Sequence, residues 1–82
     1  MISVKNKALI KVLGERVREL RIKKNISQEE LANEADVPLS QIGRIERGEG
    51  NPTISSIYVI AQALDIDLKT ILDFKINLIF IL

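Results

Sequence analysis

Apolar residues recur every three to four positions through most of this 82-residue chain, the spacing that places them on one face of an α-helix. The first such stretch predicts a helix from about Lys5 to Lys23. Gly14 interrupts this helix and indicates close packing there, and Asn25 is a natural stop. The apolar stripe of the helix consists of Leu9, Ile10, Leu13, Val17 and Leu20.

A second, shorter helix is predicted over residues 28–35. Ser27 precedes it and Glu30 follows three positions later, which is the spacing of a capping box. Asp36 is the predicted turn residue after this helix, because Asp tolerates a positive φ better than most residues do. The helix is expected to bury Leu31, Ala32 and Ala35.

A third helix is expected to start at Pro38, whose ring fixes φ, and to reach Arg47, with Gly48 closing it. Successive residues of a helix turn by about 100°, so Ile42 and Ile45 point together towards a core. The opposite face carries Ser40, Gly43, Arg44 and Arg47, and Leu39 lies at its exposed N-terminal end.

Two further helices complete the predicted fold. Residues 49–53 have the composition of a loop and are followed by a helix over about 54–64. Asp67 then caps a short helix over about 68–72. The connections are short, so the pattern predicts an all-α, compact five-helix bundle.

The composition argues against several kinds of site. The chain has no cysteine and no histidine, so it lacks the ligands of a structural zinc site and the partners of Ser–His or Cys–His catalysis. Glu15 and Glu19 lie one turn apart, but among basic residues, where solvated charge partners are expected. We therefore expect no enzyme activity, no cofactor, no metal and no small-molecule ligand.

Neither end predicts a targeting or membrane segment. The N-terminal residues contain no apolar run long enough for a signal peptide. The apolar C-terminal residues are far fewer than the ~20 that span a bilayer. We therefore expect a soluble, cytoplasmic protein that makes no membrane contact.

The net charge of +1 hides an uneven distribution of charge. Eight of the twelve basic residues lie within residues 5–24, whereas residues 27–49 carry six acidic residues against two arginines. A helix pair that is itself acidic must attract phosphates through its neighbours and through helix N-termini. On its own, the basic stretch is equally consistent with a solvated helix face.

The second and third predicted helices have the layout of a helix-turn-helix, in which one helix braces the other against a DNA major groove. Arg44 is best suited to discriminate bases, because a guanidinium can bond to guanine O6 and N7 together. Ser40 can pair with several bases, and Leu39 can pack on a thymine methyl. Gly43 would let the backbone approach the DNA, and Arg47 at the helix end suits a phosphate. Taken singly, Ser40 and Gly43 are more typical of the solvent-facing side of a short surface helix.

Three segments carry a resemblance to a known family: LGERVRELRIKKNISQEELA, IGRIERGEGNPTISSIYVIAQAL and IDLKTIL. Over about residues 9–72 the chain resembles the Cro/repressor-type helix-turn-helix of the Xre family, with its lambda-repressor-like DNA-binding domain. The resemblance implies a transcriptional regulator that binds double-stranded DNA through its third helix.

The resemblance also implies roles for individual residues. It implies an ion pair between Arg21 and Glu46 that fixes the third helix. It places base contacts at the first two turns of that helix, namely Leu39, Ser40, Gly43 and Arg44. It implies phosphate contacts at Gln28 and near Asn51. With the residues at the helix ends, the expected phosphate contacts are Ser27, Gln28, Arg47 and Asn51.

Two positions depart from the family pattern. Asp36 stands where the turn often has Gly, and Pro38 stands where Ser or Thr often caps the third helix. Neither change is expected to disturb the fold. Both can alter the angle at which the third helix approaches DNA.

We expect two parts in the chain: a DNA-binding domain over 1–73 and an apolar tail over 74–82. The first half of the tail alternates like a β-strand, and an isolated apolar strand invites edge pairing. We expect it to mediate self-association, the alternative being that it folds back over its own helices. A two-fold dimer would bind a pseudo-palindrome with half-sites ~10–10.5 bp apart. The residues expected at the dimer contact are Phe74, Ile76, Leu78 and Phe80.

The sequence thus predicts a non-catalytic, sequence-specific transcriptional regulator that binds double-stranded DNA as a homodimer. A phage-type repressor, a restriction–modification controller and an antitoxin all suit a chain of this length. The alternative is a protein-interaction module, or antitoxin-type partner-binding protein, on the same fold. The acidity of residues 27–49 is the best support for that alternative.

Overall fold

A computed structural model describes residues 6–74, and this stretch contains five α-helices and no β-strand. The predicted all-α, five-helix fold is therefore confirmed. The helices are α1 (Lys7–Lys23), α2 (Gln28–Ala35), α3 (Leu39–Glu46), α4 (Ile54–Ala63) and α5 (Leu68–Ile71).

Local capping decides where the helices begin. The Ser27 Oγ accepts a hydrogen bond from the Glu30 N–H at 3.0 Å, and the Glu30 carboxylate accepts one from the Ser27 N–H at 3.1 Å, so the predicted capping box is present. α1 begins two residues later than predicted, because the Asn6 side chain caps it by accepting from the Leu9 N–H at 2.9 Å. α3, α4 and α5 each end one residue earlier than predicted.

The connection between α2 and α3 has the predicted conformation. Asp36 lies in the left-handed region with φ 56° and ends α2. Pro38 immediately precedes α3, and no side chain caps that helix. Among residues 6–74, the N–H groups at the start of α3 therefore have no side-chain acceptor.

All five helices contribute to one hydrophobic core. Ile42 and Ile45 of α3 are buried in it, as predicted from their positions on the helix. Leu9 was expected on the apolar stripe of α1, but it is 38% exposed and lies outside this core. The side chains that are completely inaccessible to solvent are Val17, Leu31, Ile42, Ile60 and Ile71.

Two glycines allow α1 to lie directly against α3. A Cβ at Gly14 would collide with the carbonyl oxygen of Ile45, so only a glycine fits there. A Cβ at Gly48 would lie 3.0 Å from the Lys11 Cα, and Gly48 also has a φ of +73°. The close packing predicted at Gly14 is therefore confirmed. It fixes the position of α3 relative to the rest of the domain.

Phe74, the last described residue, is partly buried and packs against the core. This is the placement expected if the apolar tail begins by folding back on its own helices. The other three residues expected at the dimer contact, Ile76, Leu78 and Phe80, lie outside the described residues. Among residues 6–74, no helix has the length and hydrophobicity needed to cross a bilayer.

Candidate nucleic-acid interface

The face of α3 opposite the core is open to solvent along its N-terminal half. Leu39 is 49% exposed, and Ser40 and Arg44 are exposed with it. We call this side of the helix the recognition face, and it comprises Leu39, Ser40, Gly43, Arg44 and Arg47.

A hydrogen-bonded network of three polar side chains fixes the C-terminal end of α3. Arg21 of α1 donates two hydrogen bonds to Glu46, from Nε to Oε2 at 2.7 Å and from Nη2 to Oε1 at 3.0 Å. The Gln28 amide nitrogen donates to the same Glu46 Oε1 at 3.1 Å. The hydrogen bonds to Glu46 raise the pKa of Arg21 above its usual value. The structure therefore contains the expected ion pair and adds Gln28 to it.

The ion pair is well shielded from solvent. The side chain of Glu46 is 3% exposed and that of Arg21 is 13% exposed. Arg21 also donates through Nη1 to the carbonyl oxygen of Ile26 at 2.9 Å, in the connection that leads into α2. One guanidinium thus joins α1, α3 and the start of the helix-turn-helix.

A groove of about 310 Å³ lies between the start of α3 and the following loop. The Arg44 guanidinium borders it, with Nη2 3.2 Å from the position that a Cβ would occupy at Gly50. Gly50 has a φ of +76° and leaves room for that side chain. The residues that line the groove are Pro38, Ser40, Gln41, Arg44, Ile45, Glu49, Gly50, Asn51 and Pro52.

Sequence reasoning missed two polar residues of this groove, Gln41 and Glu49. Gln41 could have been found, because it lies only about 60° around the helix from Arg44. Glu49 gave no such signal, since it follows the helix and its position depends on the path of the loop.

Glu49 forms an exposed ion pair with Arg47. The Arg47 Nε donates to Glu49 Oε2 at 2.8 Å, and Nη2 donates to Oε1 at 3.3 Å. The hydrogen bond from Arg47 lowers the pKa of Glu49, and the positive charges of Arg47 and Arg44 lower it further. The same hydrogen bond raises the pKa of Arg47. Both groups are therefore charged at neutral pH.

Gly43 lies on the recognition face but is buried. The Arg47 side chain folds back across it, so that Nη1 lies 2.9 Å from the position a Gly43 Cβ would take. The Gln28 Oε1 lies 4.0 Å from the same position. Two of the expected phosphate-contacting residues thus meet over Gly43.

The other two expected phosphate contacts, Ser27 and Asn51, lie on either side of α3 in the chain and are both exposed. Ser27 is the N-cap of α2, so its oxygen is already an acceptor within the capping box. Asn51 lines the same groove as Arg44. Among residues 6–74, neither the Ser27 nor the Asn51 side chain forms a hydrogen bond with a residue of the recognition face.

Some of the acidic side chains in residues 27–49 have partners within the domain. Glu30 belongs to the capping box, Glu46 binds Arg21 and Glu49 binds Arg47. Three of the six acidic residues thus have partners within the domain. This weakens the main support for a protein-interaction module. Residues 6–74 hold no cluster of side chains suited to binding a metal ion.

The chain is similar to known helix-turn-helix proteins over most of its length. The family model HTH_3, described as helix-turn-helix, matches residues 17–71. The control protein C.BamHI of Bacillus amyloliquefaciens is 42% identical over 64 residues, which span 77% of this chain and 79% of that protein.

Two solved structures show the same fold. The restriction–modification controller protein C.AhdI from Aeromonas hydrophila superimposes with a TM-score of 0.72 at 41% identity, covering 77% of this chain and 94% of that one. SinR, described as the master regulator for biofilm formation, was solved in complex with DNA. It superimposes with a TM-score of 0.69 at 35% identity and covers 74% of this chain and 98% of that one.

Proposed function

The chain belongs to the helix-turn-helix family HTH_3, it is a DNA-binding transcriptional regulator, and we propose that it recognises an operator by inserting α3 into the major groove. The observation that carries this proposal is the exposed recognition face on a helix whose opposite side is locked to the core. An α-helix fits the major groove, and the residues near its N-terminus reach base edges there.

Arg44 is the proposed base-reading residue. It is exposed at the groove, and a guanidinium can donate two parallel hydrogen bonds to guanine. Ser40 and Leu39, at the start of α3, are the proposed neighbours in base contact. Gly43 lies on the same face but is buried beneath the Arg47 side chain, so the base contact expected there is not part of this proposal.

Phosphate contacts are proposed for the residues around this face, which fix the register of the protein on the duplex. The Gln28 amide nitrogen donates one of its two hydrogens to Glu46, and the second would be donated to a phosphate oxygen. The other proposed phosphate contacts are Ser27, Arg47 and Asn51.

Selection of bound duplexes from a random library tests this proposal. Wild type should yield a short consensus, and Arg44→Ala should lose ~1–3 kcal/mol for that site and relax preference at one base pair. Glu19→Gln is a suitable control, because the Glu19 side chain is 68% exposed and lies outside the groove. Failure of wild type to select any consensus would contradict the proposal.

We propose that the protein acts as a homodimer through the part of the apolar tail that follows Phe74, residues 75–82. A single domain of this size buries little DNA surface, and a second domain raises affinity without new kinds of contact. A dimer would bind a pseudo-palindromic operator with half-sites ~10–10.5 bp apart.

Light scattering on the full chain and on a variant lacking residues 75–82 tests the role of the tail. The variant keeps Phe74, because Phe74 packs against the core. The variant should be monomeric where the full chain is dimeric. A dimer of unchanged stability would assign self-association to another surface.

Of the three biological roles compatible with the sequence, we propose that of a restriction–modification controller. Identity is 42% to the control protein C.BamHI and 41% to the controller protein C.AhdI, over most of each protein's length. The protein would act in the cytoplasm, where its DNA lies, and without catalysis. A selected site located upstream of methyltransferase and endonuclease genes would support this role, and a site elsewhere would contradict it.

A further inference from the structure

Gly43 has a specific structural reason to lack a side chain. In the free protein its surface is covered by the Arg47 guanidinium, which bends back along the helix by one turn. A Cβ at Gly43 would lie 2.9 Å from Arg47 Nη1, closer than non-bonded atoms approach each other. The space above Gly43 is therefore occupied by Arg47.

Glu49 holds the opposite edge of the same guanidinium. It accepts hydrogen bonds from Arg47 Nε at 2.8 Å and Nη2 at 3.3 Å, which leaves Nη1 without a bond to Glu49. Because a guanidinium is planar and rigid, fixing one edge also fixes the direction of Nη1. That direction is towards Gly43, whose Cβ position also lies 4.0 Å from the Gln28 Oε1.

We propose that the Arg47 guanidinium packs on Gly43, where Glu49 positions it. Arg47 then binds a DNA phosphate together with Gln28. The inference rests on the proposed function, because it concerns how the same surface holds the duplex. It assigns Gly43 a positioning role in place of the base contact expected from the sequence. Glu49 also becomes a positioning residue.

The ligand is a phosphodiester group of the DNA backbone. A guanidinium pairs well with the oxygens of such a group, and prior fixation reduces the entropy lost on binding. Arg47 therefore binds from above the middle of α3, beside the N-terminus of α2. From its position in the sequence alone, it would bind only at the end of the helix.

A double-mutant cycle with Gly43→Ala and Arg47→Ala tests the proposal on random-sequence duplex DNA. Each single variant should lower affinity by roughly three- to tenfold and reduce the magnitude of the salt slope by about 0.9, as for the loss of one phosphate contact. The double variant should be no weaker than Arg47→Ala, because the alanine acts only by displacing Arg47. Gly43→Leu, whose side chain would fill the space that the guanidinium occupies, should match Arg47→Ala in affinity and salt slope.

Two controls separate this mechanism from a change in stability or a general loss of charge. Thermal unfolding should show that Gly43→Ala is at least as stable as wild type, since alanine favours helix. Arg18→Ala removes another exposed arginine, and its effect should be additive with Gly43→Ala.

Full additivity of Gly43→Ala with Arg47→Ala would overturn the inference, since the added methyl would then be obstructing DNA directly. An Arg47→Ala variant with unchanged affinity and slope would overturn it too.

The two proposals fail in different ways. If wild type binds random and selected duplexes but the cycle is additive, the proposed packing of Arg47 on Gly43 is wrong and the DNA-binding function stands. If wild type binds no duplex, the proposed function fails and the inference fails with it.

Discussion

The guanidinium of Arg21 and the carboxylate of Glu46 face each other edge to edge, with hydrogen bonds of 2.7 and 3.0 Å between α1 and the end of α3. The Glu46 side chain is 3% exposed, so it depends on its partners for almost all of its polar interactions. Gln28 shares the same carboxylate. The Arg21–Glu46 pair thus fixes the recognition face relative to the core of the domain.

Removing Arg21 alone should be more harmful than removing the whole pair. Arg21→Met leaves a shielded carboxylate without its cation, and we expect a loss of about 2–4 kcal/mol in the free energy of unfolding. The double variant Arg21→Met/Glu46→Met should recover part of this loss, because no charge is left desolvated. Urea unfolding at pH 7 measures both.

The control for this prediction is Glu19→Gln, which breaks a 3.6 Å pair with Arg16 in which the Glu19 side chain is 68% exposed. Exposed pairs contribute little, so the change should stay within about 0.5 kcal/mol. If Arg21→Met were equally mild, the pair would have no role in holding α3.

The two helix-interior glycines should respond oppositely to alanine. Gly14→Ala places a methyl against the Ile45 carbonyl oxygen, a backbone atom that cannot move without shifting α3, and we expect a loss of at least ~2 kcal/mol. At Gly43 the methyl meets only the end of the Arg47 side chain, so stability should rise by up to ~1 kcal/mol. Thermal and urea unfolding compare the two, and equal effects would contradict this prediction.

Ser27 has two separable roles. Ser27→Ala removes the cap of α2 and should cost ~1 kcal/mol of stability. Ser27→Asp keeps a capping oxygen, so stability should stay near wild type, but its negative charge should repel a phosphate and weaken DNA binding at low salt. Unfolding measurements and a salt titration of DNA affinity test both roles. Unchanged affinity in Ser27→Asp would remove Ser27 from the phosphate contacts.

Glu49 should titrate below its ordinary pKa of 4.5, because Arg47 donates hydrogen bonds to the ionised form. A lowered folded-state pKa means that the pair stabilises the protein above pH 4.5 and that this contribution is lost as the pH falls through the lowered value. NMR titration of the Glu49 carboxyl carbon should show its pKa rising in Arg47→Ala, and less in Arg44→Ala, which supplies only a weaker attraction. An unchanged pKa in Arg47→Ala would show that the pair does not form in solution.

Several features of the site could be predicted because their causes are local. Ser27 and Glu30 cap α2 across three residues, Asp36 adopts a left-handed turn, and Ile42 and Ile45 turn inwards one helical turn apart. The Arg21–Glu46 pair joins distant residues. It was nevertheless accessible through the resemblance to a family whose helices pack in the same way.

The sequence by itself determined the helices, the caps of α2 and α5, the buried face of α3 and the exposed position of Arg44, since periodicity and short-range hydrogen bonding set all of them. Only the tertiary structure decided that Gln28 binds Glu46, that Glu49 reaches Arg47 and that Arg47 covers Gly43. These contacts depend on how α2 approaches α3 and on the path of the loop that follows it. Distances between separate elements are fixed by packing across the whole core, which no single segment encodes.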